Sequence, residues 1–65
     1  MLDVEHAMLA EAFQELLEHE RRAEQLYTDL AGELADLAAR QQIEGIVQEK
    51  RRHVRLVERL LEIVA

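Results

Sequence analysis

The 65-residue sequence contains no cysteine, no proline and no tryptophan, and it has only two glycines. Because cysteine is absent, the chain can form neither a disulfide nor a thiolate metal site nor an iron–sulfur cluster. Serine is absent as well, and Thr28 has no evident base beside it, so the sequence offers no nucleophile for covalent catalysis. A chain this short buries only about 60% of its unfolded surface, so a metal or a partner chain is expected to stabilise it.

Helix-forming residues dominate what is present. Hydrophobic residues, mostly Leu, Ala and Val, make up 49% of the chain, and the scarcity of helix breakers predicts an all-α fold. The formal net charge of −6 disfavours binding to nucleic acid or to an anionic membrane surface. No apolar run approaches the length of a transmembrane helix, and the N-terminus lacks the pattern of a signal peptide, so we expect a cytoplasmic protein.

Two heptad seams run through the chain, each with mostly apolar residues that alternate in steps of four and three. The first seam consists of Leu2, His6, Leu9, Phe13, Leu16, Glu20, Ala23, Tyr27, Leu30 and Leu34. The second consists of Ala39, Ile43, Ile46, Lys50, His53, Val57, Leu60 and Val64. Further apolar residues beside each seam widen it into a face that one partner helix cannot cover.

The two seams are separated near Gly32 and Asp36, which favour a helix end and a helix start respectively. We therefore predict a single domain over residues 1–65, with a helix at about 3–32, a turn at about 33–36 and a helix at about 36–64. The alternative is one continuous helix, because the residues on both sides of the turn are strong helix formers. The break is favoured since it gives two helices of nearly equal length.

Two antiparallel helices joined by a short turn form a helical hairpin. Its broad apolar face predicts that two copies pack into a four-helix bundle, so we expect a homo-oligomer of two or more chains. The residues expected to be among the most buried are Leu16, Leu30, Ile46 and Val57. Gly45 lies within the second helix, where it either allows close approach of another helix or is a tolerated surface glycine.

Ionisable residues interrupt both seams at one height of this hairpin. Glu20 interrupts the first seam, and Lys50 and His53 interrupt the second. Glu49 and His53 lie one helical turn apart, so both can point to one ion, and Glu20 adds a carboxylate from the facing helix. A two-fold dimer would then collect four Glu and two His, a ligand set that suits iron or manganese, with zinc as a further alternative. Tyr27, two turns from Glu20, is placed to hydrogen-bond to a ligand.

The combination of Glu20, Tyr27 seven residues later, and an apolar second helix carrying Glu49 and His53 is typical of a known superfamily. Residues 20–61 resemble one half of a ferritin-like protein of the rubrerythrin type, and also the two-helix encapsulated ferritins. The resemblance implies a di-iron cofactor bound by Glu20, Glu49 and His53. It also implies ferroxidase activity, peroxide reduction or iron storage, and an encapsulating shell protein as a partner.

The sequence departs from the family pattern at Lys50. The family places a Glu three residues before the His, but Lys50 occupies that position here, and Glu49 lies four residues before His53. An ammonium group in the site would repel Fe²⁺ and would offer Glu20 a counter-ion. The alternative function is therefore a metal-free oligomerisation or interaction module in which Glu20 and Lys50 form a salt bridge.

Each candidate ligand also has a purely structural interpretation. Glu20 can be one half of an ion pair that sets the register of the bundle, and His53 can be a packed or partly exposed histidine. Tyr27 can be a core aromatic residue whose hydroxyl group is satisfied. His6 and His19 are weaker candidates, as accessory metal ligands.

Overall fold

The structure, a computed structural model, describes the backbone of residues 2–64 and the side chains of residues 3–64. Helix α1 spans Leu2–Glu33 and helix α2 spans Leu37–Val64, and residues 2–64 contain no strand. The predicted all-α fold with two helices is confirmed, and the alternative of one continuous helix is wrong. The two helices form a slender rod, since the Cα atoms extend over 53 × 13 × 10 Å.

The turn between the helices consists of residues 34–36 and is held by Asp36 and Arg40. Asp36 caps the start of α2, because its Oδ1 accepts a hydrogen bond from the Ala38 amide at 3.2 Å. The Arg40 guanidinium donates from Nε to the Leu34 carbonyl oxygen at 3.0 Å, which places a positive charge at the C-terminal end of α1. These contacts allow the chain to reverse here although strong helix formers flank the turn.

Gly32 lies inside α1 and does not end it. None of the described residues has a positive φ, so α1 does not finish in the left-handed conformation that glycine favours. The Leu34 amide instead donates to the Ala31 carbonyl oxygen at 3.4 Å, which tightens the last turn. The role expected of Gly32 is therefore taken over by the capping contacts of Arg40.

The buried core of the single hairpin is small. It contains Leu17, Ala31, Val47 and Val57. Burial of Val57 is confirmed, but Leu16 is 41% exposed and Leu30 is 39% exposed, so those two expectations are wrong for one chain. Ile46 is half-buried.

The displaced core has a geometric reason. Leu17, Ala31 and Val47 each follow a seam residue by one position, so the line of contact between α1 and α2 is rotated away from the seams. Two helices touch along a narrow strip. In a four-helix bundle, by contrast, the seam residues, which are the a and d positions of the heptad, point to an axis shared by all four helices. The seams of this chain are therefore turned partly out of the hairpin.

One side of the hairpin consequently displays two heptad-spaced stripes. They are Leu9, Leu16, Ala23 and Leu30 on α1, and Ala39, Ile46, His53 and Leu60 on α2. A contact between Glu20 and His53 places the two stripes on the same side, since Glu20 lies one turn from both Leu16 and Ala23. We call this side the open face. None of the described helices is long and apolar enough to cross a membrane.

Candidate functional site

The candidate site is centred on Glu20, in the middle of α1. Its side chain is 17% exposed, which is unusually low for a glutamate on a two-helix rod. The Oε2 atom is fully shielded from solvent and accepts no hydrogen bond from the described residues. A shielded carboxylate oxygen costs free energy unless a cation compensates for its lost hydration. The neighbours of Glu20 on α2 therefore decide what this position can do.

Two cationic or potentially cationic groups of α2 lie at the same oxygen. Lys50 Nζ is 3.4 Å from Glu20 Oε2, and His53 Nδ1 is also 3.4 Å from it. Lys50 is 25% exposed in its side chain, whereas His53 is 49% exposed and lies on the open face. Lys50 and His53 are three residues apart and thus share one face of α2. The site within one chain is a carboxylate flanked by an ammonium and an imidazole.

The other predicted site residues lie outside this contact. Glu49 is exposed on α2, and Tyr27 is half-buried on the α1 seam. Tyr27 follows Glu20 by seven positions, which is about 10 Å along the axis at 1.5 Å per residue. His6 and His19 are both exposed, and His19 Nδ1 lies 3.1 Å from the Arg22 guanidinium. The chain therefore brings together two of the three predicted metal ligands, Glu20 and His53.

An iron ion is only partly accommodated by the groups that one chain provides. Among the described residues, no three carboxylate or imidazole groups cluster closely enough to hold a metal ion. The shielded oxygen of Glu20 and the imidazole of His53 are suitable donors for iron, but the Lys50 ammonium contacts the same oxygen. A cation could occupy this position only if Lys50 moved aside and further ligands came from another chain.

Two ion pairs connect α1 and α2 on the side of the hairpin opposite the open face. Arg21 donates to Glu58 Oε2 at 3.1 Å, and Arg51 Nε lies 3.9 Å from Glu24 Oε2. Sequence reasoning did not identify these pairs, although opposite charges beside the seams of antiparallel helices were the available signal. Because both pairs are substantially exposed, their contribution to stability is small, typically about 0–1 kcal/mol for each such pair.

A shallow groove of about 440 Å³ lies next to the turn, on the side of these ion pairs. Its polar lining includes Thr28, Arg40, Glu44 and Arg51. Both arginines are already engaged, Arg40 with the Leu34 carbonyl oxygen and Arg51 with Glu24. None of the residues predicted to bind metal lines this groove, so it is separate from the Glu20 site.

Comparison of the chain with protein-family models, with curated proteins and with solved structures gives no match. The residues of the site and the shape of the hairpin are therefore the basis for a functional conclusion.

Proposed function

We propose that this chain is a helical self-association module whose two copies pack their open faces together into a four-helix bundle. The observation that carries the proposal is the exposure of leucines on the open face, with Leu9 at 44%, Leu16 at 41% and Leu30 at 39%. Together with Ala23, these leucines recur every seven positions, which is the spacing of apolar residues by which helices recognise other helices. Water contact with such a continuous stripe is unfavourable, and a second copy carries a matching one.

In this bundle, Glu20 and Lys50 form a salt bridge near the shared axis. A half-buried ion pair adds little net stability, but it penalises any packing that leaves one charge without its partner. The pair therefore selects one register between the helices, as a polar residue in a coiled-coil core does. His53, which lies on the open face, would become covered by the second copy.

Sedimentation equilibrium of two leucine variants tests the self-association. Leu16→Glu places a charge on the open face, where the single hairpin still leaves the side chain partly in water, and it should convert the assembly to monomers. Leu37→Glu is the matched control, because Leu37 is 65% exposed at the start of α2 and lies off the open face. A monomeric wild-type chain at micromolar concentration, or equal effects of the two variants, would contradict the proposal.

A second candidate function is iron binding at the bundle centre, in the manner of ferritin-like proteins. The specific observation in its favour is the shielded Oε2 of Glu20, which accepts no hydrogen bond from the described residues and lies 3.4 Å from His53 Nδ1. Two copies would supply two such pairs, and Glu49 could complete the ligand set after a rotation of its side chain. Bound iron would supply redox chemistry with oxygen or peroxide, and Glu20, Glu49 and His53 would hold it.

The two candidate functions make opposite predictions for Lys50. The self-association module needs the Lys50 ammonium as the counter-ion of Glu20, whereas iron binding requires that ammonium to leave. Titration of the wild-type chain and Lys50→Glu with Fe²⁺ separates them.

A further inference from the structure

We infer that the two copies pack with their turns at the same end of the bundle. They are then related by a two-fold axis parallel to the helices. This inference rests on the proposed self-association. In the arrangement that it specifies, α1 of one copy lies beside α2 of the other. The competing arrangement has a two-fold axis perpendicular to the helices, places the turns at opposite ends, and sets α1 beside α1 and α2 beside α2.

The distribution of charge along the hairpin favours the same-end arrangement. Residues 3–18 of α1 carry five carboxylates and no lysine or arginine. Residues 50–59 of α2 carry five lysines and arginines and one glutamate, and they lie at the same end of the hairpin. The same-end arrangement places the acidic segment of each copy beside the basic segment of the other. Neighbouring helices are about 8–10 Å apart, so this attraction is not fully screened at physiological salt.

The opposite-end arrangement brings like charges together. With the axis at the height of Glu20 and His53, residues 3–18 of α1 lie beside residues 22–37 of the other copy, which carry four carboxylates and one arginine. Residues 50–59 of α2 would lie beside residues 47–56 of the other copy, which carry four lysines and arginines and one glutamate. Both pairs of neighbouring helices would therefore repel each other.

The same-end arrangement also brings complementary side chains of the two copies to the same height along the bundle. Rotation about an axis parallel to the helices keeps every residue at its own height, and Glu20 is level with residues 50–53 of α2. Arg22, two residues further along α1, is then level with Glu49 of the second copy. Both residues are exposed, and Arg22 directly precedes Ala23 of the open face. Glu49 lies one turn from Ile46 and His53, so the long Arg22 side chain is placed to form an intermolecular ion pair with Glu49.

The exposed apolar residues beside the open face find neighbours in the same way. Met8, which is 66% exposed, comes level with Ile63 of the second copy, which is 71% exposed. Leu26, which is 70% exposed, comes level with Gly45 of the second copy, where a Cβ atom would meet nothing in the single chain. A large side chain opposite a glycine allows two helices to approach closely.

Spin labels can distinguish the arrangements, because the chain has no native cysteine. A label on Ala35→Cys sits in the turn, and a label on Glu18→Cys sits at mid-height on the solvent side of α1. Dipolar electron paramagnetic resonance on the assembled protein should detect coupling at both positions. In the same-end arrangement, the turn labels lie within roughly one or two interhelical spacings of 8–10 Å.

Each outcome of this experiment has a definite meaning. A short distance between the turn labels supports the inference. A distance close to the 53 Å length of the rod overturns it and leaves the self-association intact, provided that the mid-height labels still couple. Absence of coupling at both positions, with a monomeric mass by sedimentation, overturns the proposed function and the inference with it.

Discussion

Glu20 on α1 and Lys50 on α2 meet across the hairpin at 3.4 Å, and each is largely shielded from solvent. The pair connects two positions where a heptad pattern would ordinarily place apolar side chains. A shorter ion pair, Arg21 to Glu58 at 3.1 Å, lies on the exposed side of the same rod. The two pairs therefore provide an internal comparison of what burial does to an ion pair.

We predict that the longer ion pair is the more strongly coupled. A double-mutant cycle with Glu20→Gln and Lys50→Met should give a coupling energy above about 1 kcal/mol, since contacting residues in a shielded network couple by about 0.5–3 kcal/mol. The matched cycle with Arg21→Met and Glu58→Gln should give about 0.2–1 kcal/mol, as for other exposed pairs. Urea unfolding measures both. Equal coupling energies would mean that Lys50 and Glu20 do not hold the register.

Lys50→Glu should destabilise the metal-free protein. The new carboxylate would lie against Glu20, whose Oε2 accepts no hydrogen bond from residues 3–64, and the two negative charges would repel each other. The variant also creates the spacing found in ferritin-like proteins, with a Glu three residues before His53. If the site binds iron, Fe²⁺ should restore the lost melting temperature, since a ligand that binds only the folded state stabilises it.

Lys50→Met is the control for this titration, because it removes the ammonium without adding a ligand. If the site binds iron, Fe²⁺ should raise the melting temperature of Lys50→Glu more than that of Lys50→Met. Tight binding by the wild-type chain, unchanged in Lys50→Glu, would mean that Lys50 does not occupy the site. Absence of Fe²⁺ binding in all three proteins would remove the iron proposal and leave self-association.

The two glycines should respond differently to alanine. Neither has a positive φ, both lie within helices, and an added Cβ would meet nothing within 4 Å in one chain. For the hairpin alone, each Gly→Ala change should stabilise by about 0.5–1 kcal/mol. In the same-end dimer, Gly45→Ala should also weaken association, because Leu26 of the second copy approaches there. Gly32→Ala is the control, and unchanged dimer dissociation in both variants would identify Gly45 as a tolerated surface glycine.

The turn should depend on its two capping residues. Asp36→Ala removes the acceptor for the Ala38 amide and should cost about 0.5–2 kcal/mol. Arg40→Met removes the donor to the Leu34 carbonyl oxygen and should cost about 1–3 kcal/mol, the range for hydrogen bonds to charged groups. Asp36→Asn keeps an N-cap acceptor and should be nearly neutral. Thermal unfolding gives the comparison, and equal losses for Asp36→Asn and Asp36→Ala would exclude the capping role.

Substitutions of Leu17 and Leu16 should have different effects: Leu17 should determine the stability of the single hairpin, and Leu16 the association of two copies. Leu17 is 4% exposed and packs between α1 and α2, so Leu17→Ala should cost about 2–5 kcal/mol of stability. Leu16→Ala should act mainly on association, raising the dimer dissociation constant. Sedimentation and circular dichroism over a range of concentrations test this. An unaltered dissociation constant for Leu16→Ala would mean that the open face is not the contact surface.

The sequence by itself determined the helices and their break. The absence of proline, the abundance of Leu and Ala and the four-three spacing favour helix over most of the chain, because these are local properties of the backbone and side chains. Asp36 marked the start of α2 for the same reason. The register that set Glu20 beside Lys50 and near His53 also followed from counting residues on either side of the turn.

The tertiary structure decided which residues are buried and which are displayed. Leu16 and Leu17 are adjacent and chemically identical, yet one is 41% exposed and the other 4% exposed. The hydrophobic pattern alone could not separate them, because it describes a face and not the direction from which the second helix contacts that face. Likewise, only the packed hairpin shows that the Lys50 ammonium and the His53 imidazole reach the same oxygen of Glu20, since side-chain position depends on the rotation of both helices about their axes.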